Sequence, residues 1–387
     1  MQRHPWPLDR PVKYFALVAD LPLPDRQEKR SAAEEITEVA EGVYRAQLPI
    51  ILPGLGHVNC YVFEDEEGFA VVDPGMPDPG SYQALTHRLA QLGATPERIH
   101  TVLVTHSHPD HFGGAGRLRI VADADIVAHE RFRSVFDETD DDLQELLDER
   151  VPIVDPDGFD IAEFANYLLG DGDIPDIPAR LTPWGGAVPF PGRSEILFMR
   201  TWDEQTKRGF LTPQPTRRLA DGEVIRLARR EWITVHTPGH TGDHICLLDP
   251  AGATLLSGDH VLPTITPHIS GLQSSDTLSE FFDALDTVAS IEGVTNVLPA
   301  HGHPFSDLKG RAAEIRKHHE ERLALLVEIA GQIGEADVEE FSHHLFQPRS
   351  WGPMAESETY AHLEHLRLAG RARRRKEGPR LRYALVE

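Results

Sequence analysis

The run Thr105-His-Ser-His-Pro-Asp-His-Phe-Gly-Gly114 limits what this chain can fold into more than any other stretch. Thr101-Val-Leu-Val104 precedes it and reads as a buried strand, and two glycines close it. A strand that delivers His106, His108, Asp110 and His111 onto one tight turn gathers three imidazoles and a carboxylate. Those donors suit Zn²⁺, Fe²⁺ or Mn²⁺. The fold must therefore supply a rigid strand that ends at a site.

Four more positions extend the pattern. Asp73 ends an apolar strand in Val71-Val-Asp-Pro-Gly75, and His240 lies in Thr237-Pro-Gly-His-Thr-Gly-Asp-His244. Asp259 lies in Leu256-Ser-Gly-Asp-His260, and His301 in Pro299-Ala-His-Gly302. Each follows a strand-like run at a turn marked by Gly or Pro, where a loop side chain can point at a shared site.

Short strand-like runs recur from Val43 onward: 43–48, 58–63, 69–72, 100–104, 126–129, 233–236, 245–248, 254–256 and 294–298. Helical patterns fall between them, near 81–92 and 278–291. Strands interleaved with helices predict a layered α/β architecture. Residues 1–40 read as an arm on the main body, which spans 41–310. Residues 130–200, acidic at first and then rich in Pro and Gly, read as an insertion: a solvated surface excursion or a lid over the site. From 311 to 387 the expectation is a long helix, then a helix over 358–368, then a hairpin around Lys376-Glu-Gly-Pro379. That is the outline of a small winged-helix-like unit.

Composition narrows the partners. With 387 residues, 40% apolar and 26% charged, the chain can bury a substantial core. Asp+Glu of 62 against Lys+Arg of 38 gives a net charge of −24, which repels nucleic-acid phosphates at long range. The start of the chain does not read as a secretory signal, and no apolar run is long enough for a bilayer. A cytoplasmic protein with two reduced, buried thiols, Cys60 and Cys246, is expected.

The ordered set Asp73, His106/His108/Asp110/His111, His240, Asp259 and His301 resembles the five motifs of the metallo-β-lactamase fold superfamily, over roughly residues 41–305. The resemblance implies a four-layer αββα sandwich with a dinuclear metal site at one edge. It implies that one metal takes His106, His108 and His240 and the other Asp110, His111 and His301, with Asp259 bridging. Asp73 would orient ligands from behind, and the metals would be two divalent ions, zinc before iron or manganese. In such a site two dications acidify a shared water whose hydroxide attacks the substrate, with Asp110 holding the hydroxide and moving a proton.

Departures from relatives direct the choice of substrate. Common zinc β-lactamases carry Cys where Asp259 stands, and acyl-homoserine lactonases carry a Tyr shortly after that Asp, absent from Asp259-His-Val-Leu-Pro-Thr264. The flavodiiron relatives need a flavodoxin domain for which this chain has no room. The tail is unlike that of hydroxyacylglutathione hydrolases and closer to the winged-helix tail of the mitochondrial β-lactamase-like endoribonuclease. The favoured expectation is hydrolysis of a small ester, thioester or related acyl substrate, with His57 and His268 as substrate contacts. The alternatives are an endoribonuclease or phosphodiesterase that grips nucleic acid through Arg371–Lys376, Arg380 and Arg382, and a mono-iron persulfide-type dioxygenase. Nucleic acid is the less favoured partner, no membrane is expected, and the tail would complete the pocket or form a homodimer interface.

Overall fold

A computed structural model describes residues 25–50, 54–133, 181–187 and 213–386. The first part of the expected arm and nearly all of the expected insertion lie outside the described residues.

Among the described residues, seven strands form the first sheet, in sequence order: β1 (Thr37–Ala40), β2 (Val43–Pro49), β3 (His57–Glu64), β4 (Phe69–Val72), β5 (Ile99–Leu103), β6 (Asp125–His129) and β7 (Arg217–Leu219). The first four pair antiparallel, and β4 to β7 pair parallel. The second sheet has five strands, β8 (Val224–Leu227), β9 (Arg230–His236), β10 (Ile245–Asp249), β11 (Thr254–Gly258) and β12 (Asn296–Pro299). Here β12 runs parallel to β11 and the others are antiparallel. The sheet begins at Thr37, so the last residues of the expected arm are its edge strand.

Period-two alternation builds the layers. Along β3, Val58, Cys60 and Val62 face α1 (Pro79–Gln91) and α3 (Ala115–Ala122), whose Leu85, Leu89 and Leu118 cover that side. Tyr61 and Phe63 turn inward and meet Trp232, Ile245, Leu247, Leu256 and Leu298 of the second sheet. Cys246, Leu255 and Val297 face outward again, under α4 (Thr277–Ala289) and α5 (Leu308–Ile333) through Leu278, Phe281, Leu285 and Ile315. Helix, sheet, sheet, helix is the expected αββα order.

Local caps fix where the helices start. Asp78 accepts from the amides of Gly80 and Ser81 ahead of α1, with Pro79 in the first turn. Asp276 and Asp307 do the same for α4 and α5. After α5 come β13 (Ala336–Asp337), α6 (Val338–Leu345) behind an Asp337/Glu340 capping box, and α7 (Pro353–Leu368). The hairpin β14 (Ala372–Glu377) and β15 (Arg380–Leu385) ends the chain. The long helix, the helix before the hairpin and the hairpin itself follow the expectation; β13 and α6 were not expected, and α7 starts at Pro353 rather than 358. Phe341, Tyr360, Leu363, Leu366 and Tyr383 share one hydrophobic cluster with Cys246, Leu255 and Val297, so the tail packs into the core of the second sheet.

Candidate metal centre

Each residue singled out in the motifs sits just beyond the end of a strand. Asp73 follows β4, His106 to His111 follow β5 and include the short helix α2 (Pro109–Phe112), and His240 follows β9. Asp259 follows β11, and His301 follows β12. Main-chain bonds stitch these ends together: Ile245 donates to the Thr105 carbonyl at 2.9 Å, Asn59 to that of Ala300 at 2.7 Å, and Ala300 to that of Gly258 at 2.9 Å. The two sheets are thus fixed to one another beneath the site.

Gly258 shows how close the approach is. Its φ is +50°, and a Cβ there would lie 2.5 Å from His244 Nε2. That space lets the Asp259 amide donate to His244 Nε2 at 3.0 Å and turns the Asp259 carboxylate inward.

Two donor groups converge. His106, His108, His240 and Asp259 form one, and Asp110, His111 and His301 the other; within each, the ligating atoms lie within 4.8 Å of one another. His108 Nδ1 is 3.0 Å from both His106 Nε2 and His240 Nε2. Asp259 reaches both groups: its Oδ2 is 3.4 Å from His240 Nε2 and 3.6 Å from His111 Nε2, and its Oδ1 is 3.3 Å from His301 Nε2. Asp110 Oδ2 lies 3.5 Å from both His111 Nε2 and His301 Nε2. All seven expected ligands are brought together.

In His106, His111, His240 and His301 the other imidazole nitrogen is hydrogen-bonded away from the centre. His111 Nδ1–H donates to Asp73 Oδ2 at 2.8 Å, and Thr105 gives that carboxylate its amide at 2.8 Å and its hydroxyl at 2.7 Å. The same Thr105 hydroxyl lies 3.1 Å from His106 Nδ1 and accepts from it. His240 Nδ1–H donates to the His268 carbonyl at 2.8 Å, and His301 Nδ1–H to the His57 carbonyl at 2.9 Å. Each bond sets a tautomer and turns a lone pair toward the centre.

His57 and His268, expected as substrate contacts, therefore meet the centre through main-chain carbonyls. The His57 ring donates to the Arg30 carbonyl and accepts from Gln47 Nε2, and the His268 ring faces Ser357 and Glu358 of α7. Sequence reasoning missed Thr105, His244 and the bond from Ser107 Oγ to Asp243 Oδ1 at 3.0 Å, which ties the His106 turn to the His240 loop. The Thr at the strand end before the histidine cluster was the available signal for the first.

Charge in the site is arranged for cations. Burial lowers His106 well below the usual imidazole range, with the neighbouring His111, His108 and His240 adding to it; burial likewise takes His108 to about 3. Burial also opposes charge on His111, yet Asp110, Asp73 and Asp259 together raise it well above the usual range. Burial would raise Asp110, but the His111 charge holds it down to about 2. The carboxylates thus favour positive charge at His111 and His301, where cations would stand. His111 Nε2, His301 Nε2 and Asp259 Oδ1 are buried without a hydrogen-bond partner among the described residues. Orphaned polar atoms aimed at one point fit metal ligands.

The basic run is differently disposed. Arg374 pairs with Glu364, Arg375 with Glu335, Arg380 with Asp337 and Glu339, and Arg382 with Glu335 and Glu340.

Comparison with known proteins agrees with this geometry. The family model of the metallo-beta-lactamase superfamily matches residues 53–326. The chain belongs to that superfamily. A metallo-beta-lactamase family protein of Thermus thermophilus shares 28% identity and a TM-score of 0.66, covering 89% of this chain and 99% of that one. A beta-lactamase domain protein of Burkholderia ambifaria has the same fold, with 24% identity and a TM-score of 0.64 over 92% and 96% of the two chains. Among curated relatives, an atrochrysone carboxyl ACP thioesterase of Aspergillus novofumigatus is 29% identical over 185 residues, 43% of this chain and 52% of that protein. A lactamase-like protein of Emericella nidulans is 31% identical over 105 residues, 27% of this chain and 32% of its own length. The chain thus spans less than two thirds of these curated superfamily relatives. No described helix is long and apolar enough to cross a membrane.

Proposed function

We propose that this chain is a metal-dependent hydrolase that holds two divalent cations, zinc first among them, and cleaves a small ester, thioester or related acyl substrate. The observation that carries the reading is the convergence of two donor groups, buried but for a half-buried His108, with Asp259 reaching into both. His106, His108 and His240 would hold one cation and Asp110, His111 and His301 the other. When bound, such cations lower the pKa of a coordinated water from about 15.7 toward neutrality and polarise a carbonyl oxygen.

The chain's own residues supply the rest. Thr105, Asp73 and the carbonyls of His57 and His268 hold the imidazoles in their ligating tautomers. Asp110, buried between His111 and His301, would orient an attacking water and take and return its proton. A side-chain nucleophile is not needed, and both thiols are buried. Members of the superfamily are generally hydrolases, and the fungal relative named for a carboxyl ACP thioesterase supports an acyl thioester as the substrate class.

A panel of acyl thioesters, esters, lactones and β-lactams, run with the zinc-loaded chain, tests the reading. The expected result is thioester or ester turnover that a chelator removes, zinc restores, and His106→Ala or Asp110→Ala abolishes. Zinc-loaded protein inert toward every ester and thioester would contradict it.

A further inference from the structure

The segment between β11 and α4, residues 259–276, has no helix or strand of its own, yet it carries the carbonyl that orients His240. Its position must therefore come from what it packs on. Arg311 of α5 donates to the carbonyls of Leu262 and Ile265 at 2.6 and 2.9 Å. At its far end the segment lies flush on α7: a Cβ on Gly271 would sit 2.6 Å from the Tyr360 ring and 3.1 Å from the Ala361 backbone. Between these anchors the His268 ring is fastened to α7, its Nε2 hydrogen-bonded to Ser357 Oγ at 3.1 Å and its Nδ1 3.5 Å from Glu358 Oε2. Arg322 of α5 grips the other carboxylate oxygen of Glu358.

We infer that Ser357 and Glu358, backed by Arg322, are positioning residues for His240, so that the C-terminal helix α7 is part of the metal centre. The inference rests on the reading of that centre given above. An imidazole ligand is aimed by whatever its second nitrogen bonds. For His240 that group is the His268 carbonyl, and the hold of α7 on the His268 ring, beside the buried Ile269, fixes that carbonyl in place.

His319, Glu358 and His362 also come within ligand distance of one another, but they form a brace. His362 Nδ1–H donates to the Glu358 carbonyl at 2.7 Å, which leaves Nε2 to accept from His319 Nδ1–H at 3.2 Å. The Arg322 guanidinium on the Glu358 carboxylate opposes a cation there. The trio locks α7 to α5 and so holds Ser357 and Glu358 in place.

Cobalt(II) binding to the full chain tests this, read as affinity by chelator competition and as the visible spectrum, with the unfolding midpoint recorded for each variant. Ser357→Ala and Glu358→Gln are expected to weaken the cobalt site of His106, His108 and His240 by about tenfold or more and to shift its bands. Ser357→Thr, which keeps the hydroxyl, should restore both. His268→Ala combined with Ser357→Ala should bind no more weakly than His268→Ala alone, because Ser357 acts through that ring. Wild-type affinity and spectrum in both Ser357→Ala and Glu358→Gln would overturn the inference alone. A wild-type chain that takes up no cobalt would overturn the metal centre itself, and this inference with it.

Discussion

Asp73 takes three hydrogen bonds on one carboxylate while its own backbone sits at φ 55°, in the left-handed region. Asp tolerates that conformation better than most residues. Asp73→Asn keeps the size and the backbone preference but turns an NH₂ toward donors. The expected result is a metal affinity at the His111 position lower by about tenfold or more, measured by chelator competition. The thiols give a second prediction. Burial pushes Cys246 up to about 12 and raises Cys60 well above its usual range, so both remain neutral thiols around pH 8. Neither should react with an aromatic disulfide reagent in the native protein, and both should react once urea unfolds it. The convergence of these seven side chains was legible because each lies beyond the end of an apolar strand and carries a donor. The parts played by His57 and His268 were not, because main-chain carbonyls do that work and every residue has one.

At the scale of elements, strands read most clearly where they are buried on both faces. β4 is apolar throughout and β3 nearly so, with Asn59 the one polar residue between Val58 and Phe63, and the sequence reading matches both nearly to the residue. β14 was predicted only as one arm of a hairpin, since Ala372 is its single buried residue and its arginines lean on acidic neighbours. β7 and β8 were missed because they are only three and four residues long, and half or more of each is exposed. The C-terminal helices read as a small unit apart, because helical spacing shows which face is apolar but not what it packs on. Phe341 is fully buried in the cluster that also holds Leu255 and Val297. Phe341→Ala should lower stability by about 3–5 kcal/mol in urea unfolding, through lost burial and the cavity left behind. If α6 were an independent appendage, the main transition would not move.

The whole molecule carries a net charge of −24, and at least four arginines of its basic tail are already neutralised by its own carboxylates. Tight RNA binding needs unpaired cations to displace counterions from phosphates. Fluorescence anisotropy with single-stranded RNA at physiological salt should show no saturable binding. Submicromolar, salt-sensitive binding would instead favour the endoribonuclease alternative. The layered body, by contrast, needs no partner to explain it: two sheets deliver five loops to one edge, and those loops carry every donor of the centre. Anomalous scattering from a zinc-grown crystal tests that claim most directly. The account predicts two peaks per chain, one among His106, His108 and His240 and one among Asp110, His111 and His301, with Asp259 touching both. No peak at these residues would contradict it.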